Sequence, residues 1–179
     1  MFILHFIGDI HQPLHTEMLD KGGNGIKVCF DSHCGEKMNL HGIWDKDILH
    51  KHRGIKPSVG DHAILKEAAA QWAAELKSSN EARGMVTTAE CNDINTAQKC
   101  ALAWATESNS WVCKYVLQPS VDWIEQNDLG GDYFDGAVTI VDDLIGKAGL
   151  RLGAWLNALA AAGSAGEKLV IQNGERVEV

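Results

Sequence analysis

One short pattern with chemical potential occurs twice in this chain, as His5-x-x-x-Asp9 and as His41-x-x-x-Asp45. On a helix, residues four apart share a face, so each copy sets an imidazole beside a carboxylate. Neutral imidazole nitrogen and carboxylate oxygen are good zinc donors, with bonds of about 2.0–2.2 Å. Pro13 should end the first helix, which lets His15, just beyond it, swing in as a fifth ligand. A single His-x-x-x-Asp pair is more often a surface hydrogen bond than a metal site. Two such pairs, with a histidine following a proline-ended helix, point to a metal.

The remaining histidines divide by position. His11 lies six residues after His5, about 240° further round the same helix, so it should point away from His5 and serve a structural or ligand-supporting role. His33, His50, His52 and His62 have polar neighbours and are expected to be solvated. The run Asp20-Lys21-Gly22-Gly23-Asn24 has the composition of a turn. Its glycines either serve backbone geometry or let a flat ligand approach closely.

The elements that must position these groups are mostly helices. Val141, Leu144, Ile145, Ala148, Leu152, Trp155, Leu156 and Leu159 recur at three- and four-residue steps, as do Ile64, Ala68, Trp72 and Leu76 behind a capping Asp61. A further helix is predicted from about Thr96 to Leu117, stopping before Pro119, with a short one after it. Gly25–Phe30 is the one β-like stretch, enough for a hairpin at most. The six tryptophans are read as core. From about Ala161 the sequence drifts to small and polar residues, predicting a flexible tail over 161–179 after one domain over 1–160.

Composition narrows the function classes. A chain of 179 residues with 45% apolar and 22% charged residues is the size of one globular domain and is not a disordered chain. No apolar run reaches the roughly 18 residues of a membrane-spanning helix. A net charge of −8 argues against a general polyanion-gripping surface, although bound cations can reverse the field inside one cleft. Five cysteines occur without a C-x-x-C pair, which disfavours a thiolate zinc finger. Cys29 with Cys34, and Cys91 with Cys100, could close local disulfides, leaving Cys113 over; five reduced thiols are the alternative. Met1–Ile7 has no basic lead and no cleavage site, so it does not read as a signal peptide. It starts inside a hydrophobic pattern, as a core helix whose partners lie upstream would.

Taken together, HFIGDIHQPLH (His5 to His15), GGN (Gly22 to Asn24) and NLHGIWD (Asn39 to Asp45) closely resemble the zinc-dependent single-strand nucleases of fungi and plants, the nuclease S-one/P-one family. WATESNSWVC (Trp104 to Cys113) and YFDGAVTIVDDLIGKAGLRLGAWLN (Tyr133 to Asn157) are similar to that family's C-terminal helices. The resemblance implies a mainly α-helical, phospholipase C/nuclease-type domain with three zinc ions at the bottom of a cleft. It assigns zinc ligation to His5, Asp9, His15, His41 and Asp45, with Asp9 bridging two ions and taking the catalytic role. It places Lys21, Gly22 and Asn24 at a nucleobase pocket; Lys21 stands where some members carry an apolar residue. It also implies a secreted monomer, acting on single-stranded nucleic acid and nucleotides, with no membrane or protein partner.

The implied chemistry is metal-assisted hydrolysis of phosphodiester bonds in single-stranded DNA and RNA, giving 5′-phosphorylated products, with 3′-nucleotidase activity as a further capacity. Family members carry additional ligands before the region matching His5, so this sequence is expected to be the C-terminal part of such a nuclease. By ligand count, His15, His41 and Asp45 suffice for one zinc, and His5 with Asp9 are too few for a second tight site. About one well-held zinc and weak or absent activity are therefore expected of the chain. Two alternatives stand beside this reading. A zinc phospholipase C-like phosphodiesterase would release phosphocholine rather than nucleotides. A non-catalytic relative would take up zinc without turnover.

Overall fold

A computed structural model describes residues 2–56, 60–87 and 89–171, the side chains of residues 89, 90, 94 and 164–171 excepted. The architecture is mainly helical, with one two-stranded antiparallel hairpin. Among the described residues no helix is long and apolar enough to cross a membrane.

Helix α1 (Phe2–Asp9) leads through a bend into a 3₁₀ turn at Pro13–Thr16. Strands β1 (Lys27–Phe30) and β2 (His33–Asn39) form the hairpin. A continuous helical path follows: α2 (Leu40–Gly42), a π turn (Ile43–Asp47) and α3 (Ile48–His52). Helix α4 (His62–Ala82) starts at Asp61, whose carboxylate accepts from Ala63 N at 2.8 Å, the predicted cap. Helix α5 (Ala97–Trp111) runs into a second π turn (Val112–Val116), and α6 (Val121–Gln126) is the short helix expected after Pro119. Helix α7 (Asp132–Ile171) continues well past Ala161, where composition predicts loosening. The alanine run Ala160–Ala162 favours a helix.

The hairpin turn is pinned from outside. Asp31 and Ser32 sit at φ 51° and 64°, and their amides donate to the Asp128 carboxylate at 3.0 and 2.5 Å. Cys29 and Cys34 are bonded across the strand pair, and Cys91 is bonded to Cys100. Both local pairings expected from spacing therefore occur, and Cys113 is a free, exposed thiol.

The main core lies between the Leu40–His52 helical path and the first half of α7. Leu40, Ile43 and Ile48 are fully buried against residues such as Ala137, Ile140 and Leu144. Trp44 Nε1 donates to Tyr133 Oη at 3.0 Å, and Tyr133 Oη donates to the Val116 carbonyl, so the indole's polar edge is satisfied inside the core. A smaller cluster of Ile7, Cys100 and Trp104 joins α1, α5 and α7. Not every tryptophan is core: Trp123 is 41% exposed. Nor is α1 buried all round, since Phe2, Leu4 and Phe6 are each at least half exposed and Ile7 alone is buried.

Candidate metal centre

Three segments of unrelated local structure meet at one point. Helix α1 supplies His5 and Asp9 from one face, with His5 Nε2 3.1 Å from Asp9 Oδ2. The chain then bends, and Pro13 occupies the start of the 3₁₀ turn, where its missing N–H costs nothing. That turn delivers His15, whose Nδ1 lies 3.8 Å from Asp9 Oδ2 and whose Nε2 lies 3.2 Å from Asp45 Oδ1. Asn109 of α5 holds the turn in place by donating to the Thr16 carbonyl at 2.8 Å.

The third segment begins at Asn39, whose side chain accepts from Gly42 N at 2.7 Å and caps the helical path. His41 and Asp45 follow on one face, with His41 Nε2 3.2 Å from Asp45 Oδ2. The π turn begins between them, and such single turns recur at functional sites. Donor atoms of His15, His41 and Asp45 all lie within 4.8 Å of one another. The two imidazoles stack at 4.8 Å between centroids, 14° from parallel.

The hydrogen bonds fix how one ring is presented. His41 Nδ1 lies 2.7 Å from the Gly22 carbonyl, which can only accept, so the Nδ1 proton is donated there. Nε2 is thereby turned to Asp45 Oδ2, 3.2 Å away. Nε2 and Oδ2, with a nitrogen of His15, stand close enough to share one cation. A backbone carbonyl on the far nitrogen is also the usual way a ligating imidazole is oriented. The donor set therefore fits zinc.

Gly22 is built for that bond. Residues Asp20, Lys21, Gly22 and Gly23 all have positive φ, forming a left-handed turn. A Cβ on Gly22 would sit 2.6 Å from the Leu14 carbonyl oxygen, so only glycine allows the loop to lie against the His15-bearing turn and reach His41. Of the two readings of these glycines, backbone geometry is the one the contacts account for. Lys21 and Asn24 are exposed on the same loop, and Asn24 Nδ2 donates to the Lys21 carbonyl at 2.9 Å. Beside the centre opens a cleft of about 250 Å³, lined by Asp9, His15 and Asp45 on one side and by Trp44, Val141 and Leu144 on the other.

The S1/P1 Nuclease family model matches residues 1–161. The chain belongs to the S1/P1 nuclease family. It is 36% identical to Nuclease S1 of Aspergillus oryzae over 160 residues, covering 89% of this chain and 53% of that protein. Nuclease P1 of Penicillium citrinum is 33% identical over 162 residues, covering 88% and 56%. Endonuclease 4 of Arabidopsis thaliana is 36% identical over 160 residues, covering 89% and 49%. The chain thus spans about half the length of these S1/P1 relatives.

The other histidines separate sharply. His11 is 3% exposed, with Nδ1 2.6 Å from the Ile7 carbonyl and Nε2 2.7 Å from Arg151 Nη1. Burial, reinforced by the charge of Arg151, pushes its pKa down to about 4, so it stays neutral. The expectation of a structural residue turned away from His5 describes it. His33 and His62 are exposed as expected, but His50 and His52 are half-buried. His52 is paired with Asp142 at 3.0 Å, packs its ring edge-on to Trp72 and shares that carboxylate with Trp72 Nε1. Residues of the centre that spacing did not single out are Gln12, Asn39 and Asn109. Two of them stand at capping positions, Gln12 before Pro13 and Asn39 before the helical path that carries His41.

Proposed function

We propose that this chain acts in zinc-dependent hydrolysis of phosphodiester bonds in single-stranded DNA and RNA, giving 5′-phosphorylated products and extending to 3′-nucleotides. In this reading His15, His41 and Asp45 would hold one zinc ion, and Asp9 with His5, beside His15, would be the donors for a further ion. The observation that carries the reading is the convergence of His15, His41 and Asp45 donor atoms to within 4.8 Å of one another, in a chain of the S1/P1 family.

A bound zinc ion supplies Lewis acidity toward phosphate oxygens and a water that ionises near neutral pH. The chain's own residues do the rest. His41 is held in one tautomer by Gly22, and His15 is held by a turn braced from α5. The Lys21–Asn24 loop receives the base: Asn24, with its Nδ2 engaged, presents its carbonyl oxygen to a base N–H donor. Single strands are preferred because a stacked, paired base must first be extracted, at a cost of a few kcal/mol. The two disulfides fit a secreted protein.

Metal analysis after dialysis against metal-free buffer tests the ligand set. About one zinc per chain is expected, lost in Asp45→Ala; retention unaffected by that substitution would overturn it. Zinc-loaded chain is then offered heat-denatured DNA, duplex DNA and phosphatidylcholine. Turnover by the chain alone is expected to be weak, His5 and Asp9 being too few for a second tight site; acid-soluble nucleotides from the denatured DNA above all support the nuclease, and phosphocholine release alone contradicts it.

A further inference from the structure

We infer that Gln12 is a positioning residue that fixes the rotation of the Asp45 carboxylate toward a bound cation, an inference that rests on the metal reading of the His15, His41 and Asp45 cluster. Both ends of its side chain are engaged. Oε1 accepts from Leu14 N at 2.5 Å, the first free amide of the turn because Pro13 has none. Nε2 donates to Asp45 Oδ1 at 2.8 Å, across 33 residues of sequence. One amide therefore ties the turn that carries His15 to the helical path that carries His41 and Asp45.

The choice of residue matters chemically. With Nε2 on Oδ1, the carboxylate is fixed in rotation, so that Oδ2 faces His41 Nε2 and Oδ1 faces His15 Nε2, each at 3.2 Å. A neutral amide orients the carboxylate without supplying positive charge, so the charge of Asp45 remains available to the ion. Lysine or arginine in that place would compete with the cation. Glutamate would keep the cap but offer Asp45 a like charge in place of a donor. Partners that orient a ligating carboxylate in this way typically account for 10–100-fold in metal affinity.

The test uses the full chain and zinc alone, titrated against a chromophoric chelator. Gln12→Met keeps the side chain's length and removes both hydrogen bonds. Gln12→Asn is too short to reach Asp45 yet can still cap Leu14. Both variants are expected to bind zinc 10–100-fold more weakly than wild type. A residue that merely capped the turn would lower thermal stability in Gln12→Met and leave zinc affinity intact in Gln12→Asn. If wild type binds zinc and Gln12→Asn binds it within twofold as tightly, the positioning role is wrong while the metal site stands. If wild type itself fails to bind zinc, the metal reading fails and the inference with it.

Discussion

Gly22→Ala is the substitution whose consequences follow most directly from the coordinates. Two costs add. The residue sits at φ +66°, where an L side chain is disfavoured by about 1 kcal/mol. The new Cβ would also lie 2.6 Å from the Leu14 carbonyl oxygen and 3.2 Å from that of Glu17, both backbone atoms. Ordinary carbon–oxygen contacts begin near about 3.3 Å, so the loop must back away by roughly 0.7 Å. Leu14 is 1% exposed within the main core and cannot retreat, so the loop moves instead. Overpacking of this kind costs about 1–3 kcal/mol, for a combined loss of about 2–4 kcal/mol. The same movement draws the Gly22 carbonyl off His41 Nδ1 and frees the imidazole to turn, which should weaken zinc binding 10–100-fold. Urea unfolding of metal-free protein and zinc titration against a competing chelator measure the two effects separately. Gly35→Ala, with nothing within 4 Å of its Cβ, serves as the silent control. If Gly22→Ala lost less than about 0.5 kcal/mol and bound zinc like wild type, the loop would not be what presents His41.

His11 makes stability depend on pH. Its folded pKa, near 4, lies below the unfolded value of about 6.5, so its contribution is fully present above pH 6.5 and is lost as pH falls toward 4. The loss totals about 3 kcal/mol, and urea midpoints of wild type and His11→Gln from pH 7.5 to 4.5 should diverge accordingly; parallel profiles would refute the assignment. Gly136→Ala would set a Cβ 2.4 Å from the Tyr115 hydroxyl, which is tied to the Tyr133 carbonyl. It should destabilise by about 1–3 kcal/mol despite sitting in a helix, where alanine is usually favoured, and an unchanged thermal midpoint would show that the ring simply yields.

What could be read in the sequence, and what could not, divides by the range of the interaction. The pairs His5–Asp9 and His41–Asp45 need only a helical pitch, which is local; Pro13 does not end the first helix as expected, because α1 stops at Asp9 and the proline instead opens the 3₁₀ turn that carries His15. The Asp61 cap and the disulfide pairs are equally local. The π turn at Ile43–Asp47 leaves no such trace, because over five residues the π and α periodicities hardly differ. Gln12, Asn109 and Arg151 act through partners 33, 93 and 140 residues distant, which no periodicity encodes. His52 misleads for the same reason: its sequence neighbours are polar, while its partners Asp142 and Trp72 come from α7 and α4.

The central claim is that His15, His41 and Asp45 close around a single divalent cation. Anomalous difference density collected at the zinc absorption edge, from crystals of the full chain grown with zinc, tests it most directly. The account predicts a strong peak about 2.0–2.2 Å from one nitrogen of each imidazole and one oxygen of Asp45. A peak on other residues alone, or none at the triad with zinc in the crystal, would contradict it.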